Sequence, residues 1–243
     1  MLLRSKISKH RLHLDPKLNV EYNNAKLGKF TSSEWYHLMG KEGIGKGGYS
    51  YIYRKVGEVL SGRPSRDEFS SKETDHGLDF EREGLVKFGE MMGYDKVEML
   101  VQRLVLDEDG RTGGTPDGLI ILNDSIDGLS HNVQSVEIKC PYSFDGYIRA
   151  WKCKTPADLK KLHPDWYWQK LHQMALCDCL DGYFVVYQPY FSKGQMNVIK
   201  FNKVEIVQTT TTKEKSNDFK LINERKKEAI QIFNDTLNEL KND

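Results

Sequence analysis

The chain has little that would favour a membrane location, a thiolate metal site or a disulfide framework. No apolar run approaches the roughly 20 residues that a membrane span needs, and the chain turns polar at Arg4, where a signal peptide would be apolar. The four cysteines lack CxxC spacing and are few for a disulfide scaffold of this length. We therefore expect a cytoplasmic protein with buried thiols at Cys140, Cys153, Cys177 and Cys179.

An overall excess of positive charge is also missing, because 36 Lys and Arg residues stand against 35 Asp and Glu residues. Any surface for nucleic acid must therefore be local. The first thirty residues are such a region, with seven basic and two acidic side chains. Within them, residues 1–16 are interpreted either as a mobile basic arm or as an arm that contacts phosphate.

The composition is that of a folded protein. Hydrophobic residues make up 38% of the chain and charged residues 29%, which is too apolar for a disordered chain. A length of 243 residues suits a continuous core, so we expect residues 1–243 to form a single domain.

Hydrophobic periodicity predicts alternating helices and strands. One predicted helix starts near Thr31, and two others cover 49–60 and 74–92. A short and a longer helix lie within 157–179. After a linker at 209–212, an amphipathic helix over 213–243 ends the chain. The predicted strands are 101–106, a returning hairpin strand from Arg111, 119–122, 135–140, 183–187 and 197–207, with a loop over 123–134.

The segment Glu137-Ile138-Lys139 carries the first chemical signal. Alternation along a strand places Glu137 and Lys139 on one face, while Ile138 and Cys140 point to the other. A carboxylate and an ammonium then lie side by side in an apolar neighbourhood, where burial without partners costs several kcal/mol. Both side chains therefore need a polar partner.

Asp117 offers that partner, because the hairpin that carries it can lie against the Glu137 strand. Two converging carboxylates repel each other unless a hard cation joins them, and oxygen ligands favour Mg²⁺, with Mn²⁺ as an alternative. The Ile138 carbonyl would be a third ligand, and Lys139 would hold the attacking water or stabilise charge on the phosphate. The alternative is a surface ion pair of Glu137 and Lys139 on an edge strand, with Asp117 as a turn residue.

Five sequence blocks follow one another between roughly residues 25 and 190. They are Leu27-Gly28-Lys29-Phe30-Thr31-Ser32-Ser33-Glu34, Gly77-Leu78-Asp79-Phe80-Glu81, Gly114-Thr115-Pro116-Asp117-Gly118-Leu119, Val136-Glu137-Ile138-Lys139-Cys140-Pro141, and Tyr167-Trp168-Gln169 with Gln173-Met174. In this order the blocks resemble the phage lambda exonuclease group, also called YqaJ-like viral recombinases, of the Pro-Asp...Glu-x-Lys nuclease superfamily. The resemblance implies a three-layer α/β, restriction-endonuclease-like core with a mixed central β-sheet flanked by helices.

The resemblance also implies roles for individual residues. Asp117 and Glu137 would be metal ligands, and Lys139 the catalytic lysine. Glu81 would complete a second metal position or orient water, and Gln169 would touch the nucleophile or the DNA backbone. Without the resemblance, Glu81 is a solvated helix carboxylate and Gln169 an ordinary polar helix residue.

In the family an arginine and a serine of this region help to hold the 5′ phosphate of the strand being degraded. The matching positions are Lys26, directly before the first block, and Ser33 within it. Lysine keeps the positive charge but loses the bidentate fork that suits phosphate. Ser33 is alternatively a plain helix cap, and its backbone amides could also bind an anion.

The function implied is a Mg²⁺-dependent exonuclease that degrades one strand of duplex DNA from its 5′ end and leaves 3′ overhangs for recombination. The family would add a trimeric ring around double-stranded DNA ends and a single-strand annealing protein as partner. A structure-specific or site-specific endonuclease is one alternative, and a catalytically silent DNA-binding protein is another. We interpret His76 and His172 as structural histidines, and the tryptophans and tyrosines of 147–168 as core residues or as rings that stack on frayed bases.

Overall fold

Helices and strands alternate along the computed structural model, which describes residues 5–11, 19–65, 72–94, 98–122, 132–214 and 216–242. The strands are β1 Ser5–Arg11, β2 Phe30–Thr31, β3 Glu98–Val101, β4 Arg103–Asp107, β5 Thr112–Gly114, β6 Gly118–Leu122, β7 Asn132–Lys139, β8 Asp181–Tyr187 and β9 Met196–Asn202. The α-helices are α1 Val20–Lys26, α2 Lys46–Ser61, α3 Lys72–Met92, α4 Phe144–Trp151, α5 Pro156–Leu162, α6 Pro164–Leu176, α7 Lys203–Lys213 and α8 Asp218–Asn242, and a 3-10 helix covers Ser32–Leu38. No helix within these ranges is long and apolar enough to cross a membrane.

The strands form two sheets. The central sheet has the order β3-β6-β7-β8-β9, and it is mixed because β7 and β8 are parallel while the other neighbours are antiparallel. A smaller sheet has the order β1-β4-β5-β2. The mixed central sheet agrees with the expected architecture, whereas the smaller sheet was not predicted.

Helices cover both faces of the central sheet, which gives the three layers. On one face, Leu85 and Phe88 of α3 pack against Val136 and Ile138 of β7. On the other face, α6 and α8 share a core with alternate residues of β8 and β9, including Phe184. Both faces of β7 and β8 are therefore buried, as expected for parallel neighbours.

Several predicted elements are confirmed. Helix α2 begins three residues before the predicted segment and ends at Gly62, whose φ of +65° is the left-handed cap that glycine favours. Helices α3, α5 and α6 lie where periodicity placed them. The turn at 107–110 joins β4 to β5 as an antiparallel hairpin. The four cysteines are buried and free.

The predicted strand over 101–106 is wrong as a single element. Gln102 interrupts it with a φ of +47°, and its amide donates to the Asp117 carbonyl (N···O 3.1 Å). Residues 98–101 pair with β6 in the central sheet, and residues 103–107 pair with β1 and β5 in the smaller one. One apolar run therefore serves both sheets.

The end of the chain also differs from prediction. The strand predicted over 197–207 stops at Asn202, whose side chain accepts a hydrogen bond from the Glu205 amide and begins α7. The predicted linker 209–212 is helical, and Thr210 Oγ1 donates to the Ile206 carbonyl within α7. The C-terminal helix begins at Asp218 rather than at 213.

The structure differs from the predicted elements at three further places. The predicted loop 123–134 is a strand from Asn132 onward, and its residues 123–131 lie outside the described part of the chain. Helix α4 was not predicted; Ser143 caps it by accepting from the Gly146 amide. Within the suggested basic arm of 1–16, Ser5–Arg11 form a strand paired with β4, and the rest of the arm lies outside the described ranges.

Candidate active site

The alternation predicted for β7 is confirmed. Val136 and Ile138 belong to the core beneath α3, whereas Glu137 lies on the opposite face and contacts α6. Strand β7 is central rather than an edge strand, and Glu137 is only 2% exposed. The alternative of a surface ion pair is therefore wrong.

Pairing of β6 with β7 brings Asp117 to the Glu137 strand. Gly118 stands opposite Val136 in the antiparallel register, so Asp117 lies at the entrance to β6 beside β7. One carboxylate oxygen, Oδ2, accepts a hydrogen bond from the Ile138 amide at 2.7 Å. This contact spans 21 residues and places the Asp117 carboxylate next to the Glu137 and Lys139 side chains.

Three nitrogen donors hold the Glu137 carboxylate. Lys139 Nζ lies 2.7 Å from Oε1, and Gln169 Nε2 donates to the same oxygen. Gln173 Nε2 donates to Oε2 at 2.5 Å. Gln169 and Gln173 are one turn apart on α6 and therefore share a face. The role of Gln173 was missed, although its four-residue spacing from Gln169 was a usable signal.

The carboxylates are crowded. Burial, followed by the charges of Glu137 and Glu81, raises the pKa of Asp117 well above its usual range. Burial also raises the pKa of Glu81 to about 7, with Lys139 opposing this shift and Glu137 adding to it. Burial alone would lower the pKa of Lys139, but the three carboxylates outweigh it and raise that pKa. The site thus gathers three carboxyl groups around one ammonium, and charging all three carboxyl groups together is unfavourable.

The donor chemistry fits a hard divalent cation. Carboxylate oxygens of Asp117, Glu137 and Glu81 face one cavity, and Oε1 of Gln173 is buried there without a hydrogen-bond partner among the described residues. Oxygen donors of this kind suit Mg²⁺ or Mn²⁺. Within the described ranges, however, no three His, Cys, Asp or Glu side chains converge closely enough to form a ready-made ligand cluster. A cation would have to replace part of the amine and amide contacts of Glu137.

All seven side chains proposed from the sequence line this one cavity, whose volume is about 170 Å³. They are Lys26, Ser33, Glu81, Asp117, Glu137, Lys139 and Gln169. The cavity also contains residues that sequence reasoning did not assign, among them Tyr22, Gln102, Thr115 and Gln173. The structure therefore brings the three proposed carboxylate ligands and the proposed phosphate-binding residues to one cavity, whereas Ile138, whose carbonyl was the other proposed ligand, is not among the lining residues.

The wall that carries Lys26 and Ser33 is tied to the Asp117 loop. Tyr22 of α1 forms a 2.7 Å hydrogen bond from its hydroxyl to Thr115 Oγ1, and Lys26 Nζ lies 4.9 Å from the centre of the Tyr22 ring. Ser33 is exposed in the first turn of the 3-10 helix. The N-cap residue of this helix is Thr31, whose side chain makes no capping hydrogen bond, and Ser33 lies inside the first turn; the alternative of Ser33 as the helix cap is therefore wrong.

Helix α6 also supports the wall. A 2.8 Å hydrogen bond joins Ser32 Oγ to His172 Nδ1, and the imidazole stacks on the Trp35 ring at 3.6 Å. Burial lowers the pKa of His172 to about 3, so the ring is neutral. His172 is a structural residue, as expected, and it couples the segment beside Ser33 to the helix that holds Glu137.

A model of one protein family matches most of this chain. The model described as the YqaJ-like viral recombinase domain matches residues 21–180, which is well over half of the chain. These residues include all the side chains named for the cavity. No curated protein matches the chain in sequence.

Solved exonuclease structures share the fold. The alkaline exonuclease of Laribacter hongkongensis superposes with a TM-score of 0.65 at 20% identity, covering 91% of this chain and 96% of that one. The same enzyme in complex with dAMP gives 0.66 at 21% identity over the same shares. A phage-related exonuclease from Haemophilus somnus 129PT gives 0.60 at 14% identity, covering 87% of this chain and 96% of that one. The restriction-endonuclease-like architecture expected from the sequence is therefore confirmed.

Proposed function

Since the chain belongs to the YqaJ-like viral recombinase family, we propose that it is a DNA exonuclease that degrades one strand of duplex DNA in the 5′→3′ direction and leaves 3′ overhangs for recombination. The observation that carries the proposal is the single cavity in which Asp117, Glu137 and Lys139 meet Lys26 and Ser33. Two solved structures that share the fold are described as exonucleases, which supports the exonuclease part of the proposal.

We propose a role for each residue of the site from the family resemblance and from its position in the cavity. Asp117 and Glu137, with the Ile138 carbonyl and Glu81, would hold Mg²⁺, or alternatively Mn²⁺. The cation would neutralise phosphate charge and activate the attacking water. Lys139 orients that water or stabilises the charge that develops on the phosphate. Gln169 keeps the Glu137 carboxylate in place by a direct hydrogen bond.

The proposed substrate is a double-stranded DNA end. Lys26 supplies one positive charge and Ser33 a hydroxyl and backbone amide at the cavity wall, which suit a terminal 5′ phosphate. A cytoplasmic location, a trimeric ring around DNA and a single-strand annealing partner complete the proposal. The location is inferred from the sequence, whereas the ring and the partner rest on the family resemblance; none of them rests on a contact of this chain.

The proposal is tested by comparing a closed circular duplex with the same molecule after linearisation. We expect digestion of the linear form alone, with a 5′ label released before a 3′ label, in Mg²⁺ and not in EDTA. Cleavage of the closed circle would instead indicate an endonuclease. Release of the 3′ label first would contradict the proposed polarity.

Lys26→Ala is expected to reduce the preference for 5′-phosphorylated ends. An ammonium–phosphate contact in a partly buried site is a charge-assisted hydrogen bond, so its loss should lower kcat/KM on phosphorylated ends by about tenfold. The rate on 5′-hydroxyl ends should change little. The matched control is Lys46→Ala, since Lys46 is exposed at the start of α2. An equal loss on both kinds of end would argue against a phosphate contact.

A further inference from the structure

Four neighbouring aromatic rings form a cluster that the catalytic proposal leaves unused. We call it the aromatic platform, and it consists of His76, Phe80, Tyr142 and Tyr190. The His76 ring centre lies 4.8 Å from that of Phe80, 5.4 Å from Tyr142 and 6.0 Å from Tyr190. Phe80 and Tyr190 are 5.6 Å apart. Tyr142 is 52% and Tyr190 64% exposed, so both rings are open to a ligand.

Tyr142 and Tyr190 follow two neighbouring strands of the central sheet, β7, which carries Glu137 and Lys139, and β8 beside it. β7 and β8 are parallel, and Lys139 stands opposite Val186, so both strands end at the same edge of the sheet. Tyr142 follows Lys139 by three residues, and Tyr190 follows Val186 by four. Gln188 Nε2 donates to the Pro141 carbonyl at 3.1 Å and ties the two strand exits together.

The other two members lie on α3 beside Glu81. His76 and Phe80 are one turn apart, and so are Gly77 and Glu81, which places the two pairs in adjacent rows along the helix. A Cβ added at Gly77 would lie 3.8 Å from Glu81 Oε1. Glu81 belongs to the lining of the cavity that also contains Asp117 and Glu137, which we call the carboxylate cavity. The platform therefore adjoins the carboxylate cavity.

A buried polar atom within the platform also lacks a partner. His76 is 8% exposed, and its Nε2 has no hydrogen-bond partner among the described residues. Buried polar atoms are usually satisfied, so this nitrogen marks a place for an external polar group. Flat rings combined with one polar nitrogen match a nucleobase, which has an aromatic face and a polar edge.

We propose that the aromatic platform stacks unpaired bases of the DNA strand next to the phosphate that enters the carboxylate cavity. Every base has an aromatic face, so stacking tolerates any sequence, as a nuclease acting from an end requires. The role in digestion rests on the proposed function, whereas binding of unpaired bases does not. Of the aromatic residues considered from the sequence for stacking, Tyr147, Tyr167 and Trp168 are buried in the core.

The test is equilibrium binding in EDTA, where no strand is cut. Fluorescence anisotropy of the full chain would compare a 5′-phosphorylated thymidine oligonucleotide with an abasic strand of equal length. The parent protein should bind the strand with bases at least about tenfold more tightly. Tyr142→Ala with Tyr190→Ala should reduce that ratio to below about threefold and leave binding of the abasic strand unchanged, since phosphate contacts remain.

Two further variants complete the design. Tyr190→Phe keeps the ring and should keep the ratio, while Tyr53→Ala removes a ring that is 52% exposed on α2 and should have no effect. A double alanine variant with the parent's ratio would overturn the proposal. The proposal would also be overturned if the double alanine variant changed its oligomeric state in sedimentation but kept the parent's binding ratio. The rings would then contact a second copy of the chain. A parent that keeps the ratio but digests no DNA would refute the proposed function and leave the platform standing.

Discussion

Lys139→Ala is expected to lower the rate of DNA digestion by about 10²–10⁴-fold, the usual contribution of a positioned proton-transfer or charge-stabilising group. Lys139 is a cation beside three carboxyl groups, and its Nζ lies 2.7 Å from Glu137 Oε1. The loss should fall on kcat rather than on KM, because the ammonium acts on the reacting phosphate and not on the rest of the DNA. Single-turnover digestion of labelled linear duplex measures the effect.

The variant should still fold. Glu137 keeps its hydrogen bonds from Gln169 and Gln173 after Lys139 is removed. Lys200→Ala is the matched control. Lys200 also lies on the central sheet and pairs with a carboxylate, Asp181, at 3.5 Å, but it is exposed. An alanine variant at 139 with parental activity would refute the assignment of Lys139 as the catalytic lysine.

Asp117→Asn is expected to abolish digestion and yet raise Tm in EDTA by about 2–4 °C, since relief of about 1 kcal/mol of repulsion corresponds to a shift of that size at this length. Burial and two neighbouring carboxylates raise the pKa of Asp117, so its charged form costs stability at neutral pH. Asparagine keeps an oxygen that can accept from the Ile138 amide. The substitution therefore removes the repulsion and retains the hydrogen bond.

The same repulsion predicts a pH dependence for the metal-free protein. A carboxyl whose pKa is raised on folding stabilises the fold while it is protonated, and this stabilisation is lost as pH rises through the raised value. The pKa of Glu81 is about 7. Tm in EDTA should therefore fall between about pH 5 and pH 8, and less so in Asp117→Asn.

Saturating Mg²⁺ should restore the stability of the parent protein. A ligand that binds only the folded state at about 100 times its Kd stabilises by about 2.7 kcal/mol. The increase in Tm should be largely absent in Asp117→Asn and present in the control Asp235→Asn, where an exposed carboxylate on α8 is removed. A parental Tm that does not respond to Mg²⁺ or Mn²⁺ would count against the metal site, whatever the activity.

The variants Lys139→Ala and Asp117→Asn distinguish an effect on the reaction from an effect on stability. Loss of Lys139 removes a charge that the carboxylates attract, while loss of Asp117 removes a charge that they repel. The charges of the proposed catalytic centre thus lower the stability of the folded protein, as is common where ionisable groups are gathered for function. The neutral donors Gln169 and Gln173 hold Glu137 without adding to the charge.

Much of the site was predictable because its signals are local. The alternation that separates Glu137 and Lys139 from Ile138 is a property of any strand, and it holds in β7. The helical spacing of apolar residues likewise located α2, α3 and α6. Such patterns depend on a few consecutive residues, so they are visible before any tertiary contact is known.

Other features could not be predicted because they depend on partners far along the chain. The apolar run at 101–106 looks like one strand, but Gln102 divides it between two sheets, since the residues before it pair with β6 and those after it pair with β1. Asn202 similarly ends a strand and begins a helix, a choice that the apolar pattern over 197–207 does not contain.

The residues Asp117, Glu137 and Lys139, with their chemistry and the strand face that two of them share, are determined by the sequence alone. Only the tertiary structure decided that β6 pairs with β7, that α6 donates two amides to Glu137, and that α1 and the 3-10 helix close the cavity with Lys26 and Ser33. The physical reason is the range of the interactions. Strand and helix periodicity is set by neighbouring residues, whereas the contacts that build the site join residues as far as 140 positions apart and form only when the core packs.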